Sequence, residues 1–152
     1  MCGFLGDTVR ECRCTPQQIA RYRGRLSGPL RDRIDLIVEV PALPVTVLAE
    51  ESVAESSAAV RARVVAARAC QRERFEGSAR VNAEMPPAAV GRFCHPDAAG
   101  ARLLEVAAAR LRLSARGFDR VFKVARTIAD LAGADEVAVE HLAEALQYRL
   151  AE

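Results

Sequence analysis

Hydrophobic and polar positions change their period along the chain, and each change marks an element. Ile34, Leu36, Val38 and Val40 alternate with Asp35 and Glu39, the spacing of a half-buried strand, and Pro41 stops it. Upstream, Thr15 followed by Pro16 predicts a helix running to about Arg23. A threonine hydroxyl accepts from a free N–H of the first turn, and proline fits a position whose N–H has no helical partner. Ser27-Gly28-Pro29 ends that helical region and opens another, but Leu30 to Asp35 is too short for an independent helix. Arg33 is thereby placed at the rim of a sheet, between Asp32 and Asp35, where a guanidinium can reach a phosphate.

Beyond the strand the pattern becomes helical. Residues 42–57 are rich in Pro, Ala, Ser and Glu without a strong period, and are expected to be a linker. A long helix is predicted from about Ser57 to Glu76, with Val60, Val64, Ala67, Cys70 and Phe75 on one stripe. Pro86-Pro87 opens a short helix, and Cys94-His95-Pro96-Asp97 reads as a turn before a helix to about Leu113. Ser114 caps a helix with Phe118, Val121, Phe122, Ala125, Ile128 and Leu131 at i, i+3, i+4 spacing, ended by Gly133. Val139, Leu142, Ala145 and Leu146 give a last helix. The expected fold is mainly α: a mixed N-terminal piece over 1–41, then four or so helices in a bundle over 58–152.

Composition narrows the function classes. The net charge of +2 is small and arginines alternate with glutamates, so bulk charge does not point to a nucleic-acid or membrane binder. Lys123 is the sole lysine. No run approaches the roughly 20 apolar residues that span a bilayer, so a soluble, cytoplasmic protein is expected. Three of five cysteines crowd the first fourteen residues, which in a cytoplasmic chain reads as a metal-site remnant or free thiols before disulfides.

Three blocks carry a resemblance. Arg21-Tyr22-Arg23-Gly24-Arg25-Leu26-Ser27-Gly28-Pro29-Leu30-Arg31-Asp32-Arg33-Ile34-Asp35-Leu36 is similar to the end of the AAA+ module of magnesium-chelatase-like ATPases. Leu113-Ser114-Ala115-Arg116-Gly117-Phe118-Asp119-Arg120, continuing to Leu131, resembles the helical lid of that family, and Glu144 to Arg149 fits its C-terminal end. Within the family the blocks resemble the ComM/YifB type, a hexameric helicase acting in DNA branch migration. The resemblance implies that 1–41 is the last strand and short helices of an α/β AAA+ core and that 58–152 is the lid. It implies that Arg33 is an arginine finger given in trans to a neighbouring subunit's nucleotide, and that Arg116 is a sensor-2 arginine reaching bound ATP from the lid. Arg31 stands where the family more often has leucine. Arg120 and Arg126 are expected to be solvated or structural. An ion pair of Arg33 with Asp32 or Asp35 is the structural alternative to the finger role.

The resemblance also covers Cys2, Cys12 and Cys14, which match a cysteine loop in which a further cysteine normally precedes Cys2 by two residues. Four thiolates suit tetrahedral zinc. With three, and with a tight Cys-x-Cys pair, no metal site is expected; Cys2, Cys12 and Cys14 are its only candidates, and His95 reads as a turn residue. No segment matches Gly-x-x-x-x-Gly-Lys-[Ser/Thr], and no apolar strand ends in an acidic pair to hold Mg²⁺. ATP and Mg²⁺ are therefore expected in the intact family member, with no tight binding and no hydrolysis by this chain alone. Partners implied are neighbouring AAA+ subunits or a separate N-terminal half, and DNA through the whole assembly, with no membrane. The competing readings are a free-standing helical adaptor and a subunit related to true magnesium chelatase.

Overall fold

A computed structural model of the chain describes residues 2–7, 10–40, 55–77 and 80–149. Contacts divide it into two units: one holds residues 1–34 and 38–54, the other residues 35–37 and 55–152. The expected linker at 42–57 lies, as far as residue 54, outside the described residues. Among the described residues the architecture is all helical, as the mainly α expectation required.

The first unit carries α1, Pro16–Arg23, and α2, Gly28–Arg31. Thr15 begins α1 with a capping box: its hydroxyl accepts from the Gln18 N–H at 3.3 Å, while its own N–H donates to Gln18 Oε1 at 2.9 Å. The proline signal at 27–29 produces a single helical turn, α2, which closes with the Asp32 N–H on the Gly28 carbonyl at 3.0 Å. The strand expected at Ile34–Val40 is absent: no ladder forms there among the described residues. Alternation supplies the side-chain pattern of a strand, but a strand exists only when a neighbour accepts its backbone groups. Leu36, Val38 and Val40 are accordingly exposed.

The second unit is built from α3 (Ser57–Arg74), a 3-10 turn (Asn82–Glu84), α4 (Pro87–Phe93), α5 (Ala98–Leu111), α6 (Ala115–Leu131) and α7 (Val139–Gln147). Ser56, Asp97 and Ser114 cap α3, α5 and α6 through side-chain oxygens. Gly133 follows α6 at φ +69°, the left-handed position that a side chain rarely tolerates. α6 is the central element, packed against α3, α4, α7 and the 3-10 turn, while α5 packs on α7. The core joins Leu104, Val121, Ala125, Ala129, Val137, Leu142, Ala145 and Leu146. A second cluster gathers Met85, Val90 and Cys94, and Phe122 touches both. None of the described helices is long and apolar enough to cross a membrane.

The stripe expected on α3 is only half realised. Ala67 is buried, but Val60, Val64 and Cys70 are exposed, and the helix attaches instead through polar residues near its C-terminal end. Asp130 of α6 is the centre of that attachment. Its Oδ2 accepts from Arg74 Nη1 at 2.8 Å and from Asn82 Nδ2 at 2.7 Å, and its Oδ1 accepts from Arg126 Nε at 2.9 Å. Arg126 is 2% exposed, so of the two expectations for it the structural one applies. It also donates from Nη1 to the Asp135 carbonyl at 2.7 Å and from Nη2 to the Ala134 carbonyl, tying down the turn beyond α6. A buried charge is tolerable only when it is paired and hydrogen-bonded on this scale.

Candidate functional site

Arg33 follows the single turn of α2, and its N–H donates to the Leu30 carbonyl at 3.0 Å. Its side chain is exposed and forms no ion pair with a described residue. The carboxylate two residues later is engaged elsewhere: Asp35 pairs with Arg120 of α6. The structural alternative, in which Arg33 merely ties its own loop to Asp32 or Asp35, is therefore not what the side chains do. Both Arg31 and Arg33, which flank Asp32, are exposed.

Arg116 is the second residue of α6, exposed, in a first turn that contains no acidic residue. Ser114 Oγ accepts from the Gly117 N–H at 3.1 Å, and the remaining first-turn N–H groups add positive potential beside the guanidinium. Gly117 itself is buried, and its carbonyl accepts from Arg149 Nη2 at 3.5 Å. Further along the helix, the Asp130 network and the core hold α6 in place. Sequence and fold thus put Arg116 on the rim of a rigid element, with a cation and free N–H groups at one end of it. Arg33 and Arg116 belong to different units.

Cys2, Cys12 and Cys14 are brought together. Their sulfurs all lie within 4.8 Å of one another, with Cys14–Cys2 at 3.4 Å and Cys2–Cys12 at 3.5 Å. The Cys2 thiol is lowered to about 6, first by the Phe4 N–H and then by the Cys14 thiol. The Cys12 thiol is raised: the Cys14 N–H lowers it, but Cys2, partial burial and Cys14's side chain together outweigh that. One thiolate in the trio therefore disfavours a second. Cys94, expected in a turn, is buried at the end of α4, and desolvation pushes its thiol up to about 11. His95 is exposed and joins no metal-ligating group among the described residues.

The Asp130 network was not legible in the sequence. Arg126 and Asp130 stand four apart on α6, which is the spacing of an ordinary surface ion pair, and their partners Arg74 and Asn82 are 56 and 48 residues away from Asp130. The one available hint is that Arg126, Ala129 and Asp130 fall beside the apolar face carried by Phe122 and Ala125.

Comparison with known proteins bears on the whole chain. Residues 54–149 match the family of the magnesium chelatase subunit ChlI C-terminal region, and residues 1–48 match magnesium chelatase subunit ChlI. The chain is 45% identical over 138 residues to the competence protein ComM of Haemophilus influenzae, across 90% of this chain and 26% of that protein. It is 44% identical over 138 residues to the uncharacterized protein YifB of Escherichia coli, across 90% of this chain and 27% of that protein. An uncharacterized protein of Mycobacterium tuberculosis is 39% identical over 142 residues, across 92% of this chain and 28% of its own length. The chain thus spans about a quarter of the length of these curated relatives. With the helical unit matched from end to end, the chain belongs to the magnesium-chelatase ChlI family and is similar within it to the ComM and YifB proteins.

Proposed function

We propose that this chain is the C-terminal portion of a ComM-like AAA+ ATPase and gives arginines to ATP sites that other parts of the assembly complete. Arg33 acts in trans at the γ-phosphate of a neighbouring subunit, and Arg116 reaches the nucleotide from the lid. Residues 1–41 are the end of the AAA+ core and residues 58–152 the lid. The intact assembly binds ATP with Mg²⁺, forms a hexamer in the cytoplasm and moves on DNA during branch migration. The observation that carries this reading is the state of Arg33: it is exposed and without an ion pair to a described residue, while Asp35 is held by Arg120. A finger must be free to enter another subunit's site, and a guanidinium matches the planar charge of a phosphoryl group in transfer.

No segment of the chain offers a phosphate loop, so the β- and γ-phosphates have no cradle here. The test is reconstitution with a complementary N-terminal half that carries one. ATP hydrolysis is expected only in the mixture, and Arg33→Ala is expected to lower it by about 10³–10⁵-fold, the size of a lost arginine finger. Hydrolysis by the isolated chain, or a reconstituted rate indifferent to Arg33→Ala, would overturn the reading. Failure of the halves to associate, with the chain instead binding an unrelated protein, would favour a free-standing adaptor.

A further inference from the structure

We propose that Cys2, Cys12 and Cys14 form a three-thiolate zinc site, contrary to the expectation from sequence that three cysteines at this spacing hold no metal. The backbone brings the three sulfurs closer together than their spacing suggests. Cys12 and Cys14 stand two apart just before α1, and their sulfurs lie within 4.8 Å of each other and of Cys2. A tetrahedral zinc ion with Zn–S near 2.3 Å separates its sulfurs by about 3.8 Å. The 3.4 and 3.5 Å separations from Cys2 are close to that edge. They are much too long for a disulfide, whose sulfurs are bonded at about 2.05 Å.

The loop around the sulfurs is arranged to present them. Gly3 and Gly6 take φ +84° and +81°, reversing the chain twice within five residues of Cys2. The Asp7 N–H donates to the Phe4 carbonyl at 3.2 Å and the Arg10 N–H to Asp7 Oδ1 at 3.0 Å. The Cys2 N–H points at Cys14 Sγ from 3.2 Å. Peptide N–H groups aimed at sulfur support the anionic form that a metal requires. The far side of the loop is equally fixed, because Thr15, next to Cys14, is the capping residue of α1.

Soft sulfur ligands suit zinc, copper(I) and iron–sulfur clusters. Sulfurs this close surround one ion, since a cluster of several irons holds its cysteines further apart. Zinc needs no redox partner and takes four ligands, three of which these thiolates supply. Binding displaces the thiol protons to solvent and leaves a complex of net charge −1. The site has a structural use: neither α1 nor α2 buries a single residue, and a metal can order a segment that has no apolar interior.

The full chain, reduced with a phosphine rather than a thiol, is incubated with zinc, desalted and assayed by elemental analysis. About one zinc per chain is expected for a single site. Cys2→Ser, Cys12→Ser and Cys14→Ser should each lower bound zinc by more than about tenfold, a loss at least as large as outer-shell changes produce. Cys70→Ser, at an exposed cysteine outside the trio, should leave it unchanged. Cobalt(II) in place of zinc should give near-ultraviolet thiolate-to-metal charge-transfer bands and the visible bands of a tetrahedral ion. Absence of those cobalt bands in the unmutated chain overturns the proposal even if a serine variant does not fold. Zinc retained in all three variants, or a disulfide between two of the three in the reduced chain, overturns it as well.

Discussion

The helices α6 and α1 are held in opposite ways. α6 buries Val121, Ala125, Arg126, Ala129 and Asp130 and touches most of the helical unit. α1 buries nothing, and neither does α2. What fixes α1 is local: a capping box, a proline in its first turn and the Gly24 N–H on the Ala20 carbonyl at 2.8 Å. Short helices gain little from propensity alone, and most helical stability comes from packing an apolar face. The contrast teaches that the helical unit carries its own interior, whereas the N-terminal unit presents Leu26 and Leu30 to solvent and relies on caps, turns and its sulfur loop.

The helical unit depends most heavily on a single side chain at Asp130. Asp130→Ala should destabilise the helical unit by about 3–5 kcal/mol in chemical denaturation, because Arg126 is left as a buried charge without its carboxylate. The secondary chemical shifts of α1 should not change. If denaturation were shifted by less than about 1 kcal/mol, the network would be no more than a surface ion pair. Leu142→Ala comes next, at about 2–5 kcal/mol, since Leu142 is 0% exposed and truncation leaves a cavity in the main core.

Acid should reproduce part of the Asp130 effect. Burial alone would raise the Asp130 carboxyl, but hydrogen bonds from Arg74 and Asn82 and the charges of Arg126 and Arg74 outweigh it and hold the group below its usual range. A carboxyl depressed in the folded state contributes stability above its unfolded value of about 4. That contribution is lost as pH falls through the folded value. Denaturation midpoints of the unmutated chain should therefore hold down to about pH 5 and decline below about pH 4. The Asp130-dependent part of that decline should be missing in Asp130→Asn. The smallest effect sharpens the other side. Thr15→Ala should cost α1 about 0.5–1 kcal/mol, read as lost helical shifts at 16–19, while the denaturation midpoint of the helical unit stays put.

Much of the helical unit was legible because its punctuation is local. Ser114, Asp97 and Gly133 act through atoms within a few residues of themselves, so the sequence alone places the ends of α5 and α6. The Ile34–Val40 pattern misled for the opposite reason: alternation describes side chains, while a strand depends on a neighbouring backbone that no local pattern contains. Val60 and Val64 mark the same limit, since a stripe becomes a core face only where another element covers it. At the candidate site, the openness of Arg33 turned on Asp35 being engaged by Arg120, 85 residues further on. Convergence of the three sulfurs depended on backbone turns at Gly3 and Gly6, which spacing could not measure.

Arg126 anchors α6 ten residues beyond Arg116. With seventeen residues, α6 is about 25 Å long at 1.5 Å per residue. The buried Arg126 guanidinium, held by Asp130 and by the Ala134 and Asp135 carbonyls, fixes the C-terminal half of that rod. With a lever arm of about 15 Å from Arg126, a displacement of about 1 Å at Arg116 is a tilt of about 4°. A movement at the exposed Arg116 end is thereby passed to α3, α4 and α7, which all pack on this one helix.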